Sequence, residues 1–339
     1  MTITTVPRML LVCVLASLIS YGINMDRFAV AGEESTVKIP FGYKLYLYDF
    51  FGISATKNGD VCAVGNFGTI FHSKDFGKTW KAQESGVKTE LFDVSFVDDK
   101  NGWAVGRWGK ILATHNGGET WTKQDSAIKD WSMLSVFFLD ANRGWVVGEY
   151  GTILNTVNGG KTWTIRREPE DVILNRIFFV DADHGWVAGE FGTILHTEDE
   201  GNTWVRQQSP FGETTIFGLY FKDRLNGWIT CMDGGIGMTE DGGNTWRDLK
   251  SPISSTLYSI CVIGDTGWSF GEKGSMLKSS DNGKTWEVVP NTWGIFSPFT
   301  KSCFVDRRRI WVAGANGALI YTSNGGDEWV KPQSVIIIK

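Results

Sequence analysis

Apolar and polar residues alternate in short runs along most of this chain, and glycine-bearing turns separate the runs. Leu91–Val97 (LFDVSFV) alternates with a period of two and predicts a half-buried strand. A second strand begins at Trp103–Val105, after the turn at Asn101-Gly102. Gly106 and Gly109 then bracket a tight turn, Lys110–Thr114 (KILAT) predicts a third strand, and Trp121–Lys123 opens a fourth. Four short strands joined in this way make one antiparallel sheet.

The unit recurs. An octapeptide appears as SKDFGKTW (Ser73–Trp80), THNGGETW (Thr114–Trp121), TVNGGKTW (Thr156–Trp163) and TEDEGNTW (Thr197–Trp204), then as TEDGGNTW (Thr239–Trp246), SSDNGKTW (Ser279–Trp286) and TSNGGDEW (Thr322–Trp329). The closing tryptophans stand 41, 42, 41, 42, 40 and 43 residues apart, too regular for chance. The second strand carries its own mark, a Gly-Trp pair ending in Trp103, Trp145, Trp186, Trp228 and Trp268. Trp311 follows Ile310, Cys62 takes the tryptophan slot in the first unit, and Cys231 replaces a turn glycine in the fifth. One four-stranded sheet per period of about 40 residues is a propeller blade. The expected fold is therefore all-β, a seven-bladed β-propeller with four-stranded blades over residues 47–333. The segments between units are too short for a second domain.

Composition agrees. The chain has 41 glycines and 16 tryptophans, which suits many tight turns and aromatic packing between sheets. A net charge of −5 offers no basic field for nucleic acid. The first residues break the repeat. Arg8 precedes a 15-residue apolar stretch, Met9–Ile23, too short to span a bilayer comfortably, and Ala29-Val30-Ala31 has the small-x-small form of a cleavage site. This predicts a signal peptide over 1–31, a mature start near Gly32, and export to a periplasm or equivalent lumen, with an uncleaved anchor as the alternative. Residues 32–46 form an N-terminal segment and 334–339 a tail. Cys62, Cys231, Cys261 and Cys303 then remain. They allow three full disulfide pairings, but they lack CxxC or CxxCH spacing and read better as small buried hydrophobes.

Turn chemistry accounts for the octapeptide. The side chain at its third position, Asp75, Asn116, Asn158, Asp199, Asp241, Asp281 or Asn324, can accept hydrogen bonds from the backbone of its own turn. Glycine at position five permits a left-handed backbone, and the closing tryptophan can fill the gap between sheets. Calcium is a weaker reading, since three boxes carry Asn and one carboxylate per loop supplies too few ligands.

These octapeptides resemble the BNR or Asp-box repeat of sialidases, other glycan hydrolases and sortilin-type receptors. The fuller unit, GWVAGEFGTILHTEDEGNTW over Gly185–Trp204, resembles the propellers related to the photosystem II stability and assembly factors, over about residues 47–331. The resemblance implies an exported, non-catalytic propeller that binds protein subunits of a membrane or redox complex during assembly. An accessory subunit of a respiratory or other redox enzyme fits the residues as well, and an Asp-box glycoside hydrolase or glycan-binding protein is the further alternative. The resemblance associates such factors with an arginine-rich patch. Arg166-Arg167 and Arg307–Arg309 are the clusters here, and neither maps onto it residue by residue. The sialidase Arg-Ile-Pro element is absent, as are the HExxH and GxSxG patterns. The acids Glu149, Glu190 and Glu272 recur at one turn position, which suggests turn chemistry. No catalytic residue, cofactor, metal or small-molecule substrate is expected.

One feature points to binding. Before the second glycine of each Gly-x-x-Gly turn stand Phe67, Trp108, Tyr150 and Phe191 in units one to four, but Asp233, Lys273 and Asn316 in units five to seven. Equivalent turns should emerge on one face, giving an aromatic arc for a partner; packing of each ring against a neighbouring blade is the competing reading. The apolar run Val335–Ile338 is expected to tie the chain ends together along a sheet edge or against residues 36–48, with strand addition to a partner as the alternative.

Overall fold

Blade 2 shows how the pattern folds. Leu91–Phe96, Gly102–Gly106, Lys110–Thr114 and Thr122–Gln124 pair antiparallel in sequence order. The third strand falls where the alternation puts it, and the fourth begins one residue past Trp121. The computed structural model describes residues 48–292 and 294–332, with the backbone of two terminal strands, Val37–Pro40 and Ser334–Ile337. The signal-peptide reading of 1–31 lies outside the described residues.

Seven such sheets form a seven-bladed propeller. The first strands, Phe50–Ala55, Leu91–Phe96, Met133–Phe138, Leu174–Phe179, Ile216–Phe221, Leu257–Ile263 and Phe299–Phe304, surround the axis, each packed against the first strands of both neighbours. Blade 7 departs from the plan. Its fourth strand shrinks to a single bridge, Tyr321–Val330. Pro332 follows almost at once and has no N–H for a ladder.

The core lies between blades. Trp103 of blade 2 stacks on Phe138 of blade 3 at 3.5 Å and donates its Nε1–H to Gly159 O, in the blade 3 box, at 3.1 Å. Trp145 on Phe179 (3.7 Å) and Trp186 on Phe221 (3.6 Å) repeat the arrangement. The box glycine is obligatory here. Gly283 has φ +72°, and a Cβ on it would lie 2.5 Å from Trp228 Nε1 of the preceding blade. Each Gly-Trp pair is thus half of a joint whose other half is the next blade's octapeptide.

The ring closes by the same joint, since Trp311 of blade 7 meets Trp80 of blade 1 edge-on at 5.6 Å. Thr300 Oγ1 donates to Phe50 O at 2.7 Å, and Asn316 N to Asp49 Oδ1 at 2.8 Å. The chain ends add strands to the outside of blade 1. Ser334–Ile337 bridges to its outer strand at Ile336 and Lys81, and pairs antiparallel with Val37–Pro40. Cys62, Cys231, Cys261 and Cys303 are free thiols.

Candidate functional site

The two faces of the propeller differ in their chemistry. One carries the octapeptides beside the turns between first and second strands, as in the bonds from Gly117 N to Lys100 O and Gly159 N to Asn142 O. Within each octapeptide the third side chain closes the turn. Asp75 Oδ1 accepts Thr79 N at 2.9 Å, and its Oδ2 accepts Thr79 Oγ1 at 2.7 Å. Asp199, Asp241 and Asp281 repeat both bonds. Asn116 and Asn158 accept the same backbone N–H but donate Nδ2–H to the threonine hydroxyl, while Asn324 accepts Glu328 N. The hydrogen bond from the Thr285 side chain, with backbone N–H bonds, holds the Asp281 carboxyl down to about 2 despite slight burial.

The opposite face carries the Gly-x-x-Gly turns beside the connections between blades. Gly109 N donates to Trp131 O and Gly151 N to Val172 O, both at 2.7 Å. Glu149 and Glu190 accept the backbone N–H groups of Ser132 (2.7 Å) and Ile173 (3.1 Å) in those connections, so these acids serve the turns.

Phe67, Trp108, Tyr150 and Phe191 lie in these turns with exposures of 71, 52, 39 and 55%. Their backbone is unusual. Together with Asp233, Lys273 and Asn316 they hold φ between 53° and 61°, the left-handed region. Asn and Asp tolerate that region, whereas an aromatic side chain is strained there. The rings differ in company. Trp131 packs on Tyr150 at 4.8 Å, the Arg107 guanidinium lies 5.7 Å from the Trp108 ring, and Arg206 Nη2 donates to Phe191 O at 3.1 Å.

The two arginine clusters lie on different faces and are partly engaged. Arg167 pairs with Glu170, Arg166 donates to Asn155, and Arg309 pairs with Asp306 at 2.7 Å while donating to Lys57 O. Asp181, Asp183 and His184 are close enough to share a cation, but Asp181 already pairs with Arg224 at 2.7 Å and His184 at 2.9 Å.

The axis holds a cluster that the sequence reading missed. A bulge interrupts every first strand between its first and third residues. Such a bulge re-aims a side chain, and the third residues are Gly52, Asp93, Ser135, Arg176, Gly218, Ser259 and Lys301. Asp93 Oδ2 accepts Lys301 Nζ of blade 7 at 2.8 Å, Ser135 Oγ of blade 3 at 3.1 Å and Val136 N at 3.2 Å, and lies 3.7 Å from Arg176 Nη1 of blade 4. Burial pushes the Asp93 carboxyl up to about 6, against the pull of Arg176 and of these hydrogen bonds. The available signal was a charge at the third position of a short strand that begins and ends on apolar residues, in LFDVSF, LNRIFF and FTKSCF.

The sequence matches the family model for the photosynthesis system II assembly factor YCF48 over residues 127–210 and 207–295. No curated protein matches the sequence. Among solved structures, YCF48 from Cyanidioschyzon merolae superposes with a TM-score of 0.71 at 22% identity, over 84% of this chain and 98% of that one. YCF48 bound to D1 peptide superposes equally well (0.71) at 19% identity, over 87 and 97%. The fold also serves enzymes. A catalytically inactive virginiamycin B lyase from Staphylococcus aureus with quinupristin gives 0.71 at 14% identity, over 86 and 99%.

Proposed function

We propose that this chain, an Asp-box β-propeller resembling the photosystem II assembly factor family, is an exported, non-catalytic scaffold that captures a polypeptide of a membrane or redox complex on its Gly-x-x-Gly face. The carrying observation is the placement of Phe67, Trp108, Tyr150 and Phe191 at exposed positions with left-handed backbone. Blade 7 meets the same turn geometry with Asn316, the cheaper residue. Aromatic rings kept where the backbone disfavours them and solvent reaches them are suited to an interface, whose centre is typically aromatic. The YCF48 that carries a D1 peptide supports a polypeptide ligand for this chain too. A non-catalytic role is consistent with Glu149 and Glu190 of this face each accepting a backbone N–H group.

The test is to capture partners of the mature protein from its native membrane fraction, beside the double variant Trp108→Ser/Tyr150→Ser. Loss of capture with an unchanged melting temperature supports the reading. Unchanged capture moves the interface elsewhere, and a large fall in melting temperature makes the rings blade packing. Photosystem II subunits among the captured proteins identify an assembly factor, whereas subunits of another redox enzyme identify an accessory subunit.

A further inference from the structure

The axial cluster has an unbalanced charge. Around the axis the first strands present residues in tiers. The second residues contribute the ring pairs Phe51–Phe92 and Phe217–Tyr258, at 5.7 and 5.3 Å, toward the Gly-x-x-Gly face. The fifth residues contribute Phe137, Phe178 and Tyr220, in successive contact at 5.3 and 5.2 Å, toward the box face. Between these tiers lie Asp93, Arg176 and Lys301. Among the described first-strand residues these three carry the only charges at the bulge positions, two cations against one carboxylate.

The cations are not equivalent. Lys301 donates to Asp93 at 2.8 Å, which satisfies that carboxylate together with Ser135 and Val136 N. Arg176 lies 3.7 Å away, beyond hydrogen-bond range, and makes no hydrogen bond among the described residues. Burial lowers its pKa and Asp93 restores it only in part. Its side chain nevertheless stays 18% exposed. A tie between blades would be complete with Asp93 and Lys301 alone. A guanidinium whose donors meet no acceptor among the described residues, between tiers that carry these rings, has the fork geometry that a carboxylate matches with two parallel hydrogen bonds. The surplus is one positive charge, which a monovalent carboxylate balances and a phosphate dianion would exceed.

We infer that the axis of this propeller is a carboxylate-binding site, with Arg176 as the ligating residue and the Asp93–Lys301 pair as the support that holds the tier in place. The inference stands apart from partner capture by the aromatic arc and survives its failure. The carboxylate can come from a small organic acid or from a polypeptide.

Calorimetric titration of the mature protein at constant ionic strength tests it with acetate, with the peptide acetyl-Ala-Phe-Ala, and with the amide of that peptide. Saturable binding of acetate, weakened at least about tenfold in Arg176→Gln, supports a site for free acids. Arg176-dependent binding of the peptide but not of acetate or the amide supports a chain-end site. Arg176→Lys, which keeps the charge without the fork, is expected to bind more weakly than the native protein, and it replaces the Gln variant if that fails to fold. No saturable binding by any of these probes, or binding equal in native and variant proteins, overturns the inference.

Discussion

Replacing Phe67 with Asn separates a ring kept for packing from one kept for contact. Phe67 is 71% exposed and holds φ 56°. A phenylalanine can bury ~200 Å², so about 60 Å² is covered here, ~1.5 kcal/mol at 25 cal/mol per Å². Asn keeps roughly half of that contact, so the loss is about 0.7 kcal/mol. Left-handed backbone costs an ordinary residue ~1 kcal/mol, and Asn tolerates it better. The terms nearly cancel, and the melting temperature should move by no more than about 3 °C in either direction. A core phenylalanine would instead lose ~3–5 kcal/mol on truncation. Capture of the membrane-fraction partner should fall about tenfold or more, the loss of ~1.4 kcal/mol or more expected of an interface aromatic. Thermal unfolding and quantitative pull-down of the same preparations check both. A loss of stability beyond ~2 kcal/mol would refute the reasoning, because it would place Phe67 in the packing.

Further expectations concern the framework. The Asp281 carboxyl is depressed to about 2 in the folded protein, so its contribution is full above the unfolded value near 4 and lost as pH falls toward 2; Asp281→Asn should keep stability at pH 7 and remove that part of the acid sensitivity, read from unfolding curves between pH 2 and 6. Asp93→Ala leaves Lys301 and Arg176 without their carboxylate and should cost ~3 kcal/mol or more in urea unfolding, with a loss below ~1 kcal/mol contradicting the axial tie. Gly283→Ala forces a Cβ against Trp228 in left-handed backbone and should destabilise by ~2 kcal/mol or more, whereas a neutral result would show that the blade joint yields. Burial pushes the Cys231 thiol up to about 12 and the Cys303 thiol up to about 11, so a thiol reagent should leave both unlabelled in the native protein at pH 8 and label them in urea.

The repeat itself determined the architecture. Seven octapeptides at near-constant spacing demand seven equivalent sheets, and each residue of the box answers a local need, a turn acceptor, a left-handed glycine or a tryptophan, that shows in one blade read alone. The aromatic arc was legible for the same reason, because equivalent turns must share a face. Exposure and backbone were not, since alternation does not reveal that Phe67 stands in left-handed backbone with its ring in solvent. Contacts between blades also lay beyond the sequence. That Trp228 reaches the box of the next blade depends on the angle between two sheets. The axial cluster is the clearest case. Asp93, Arg176 and Lys301 are 83 and 125 residues apart in sequence, and each reads alone as an isolated charge in a short strand. Closing the ring brings the first strands around one axis, and a bulge in each strand turns the third residue inward. Only then do charges from blades 2, 4 and 7 meet.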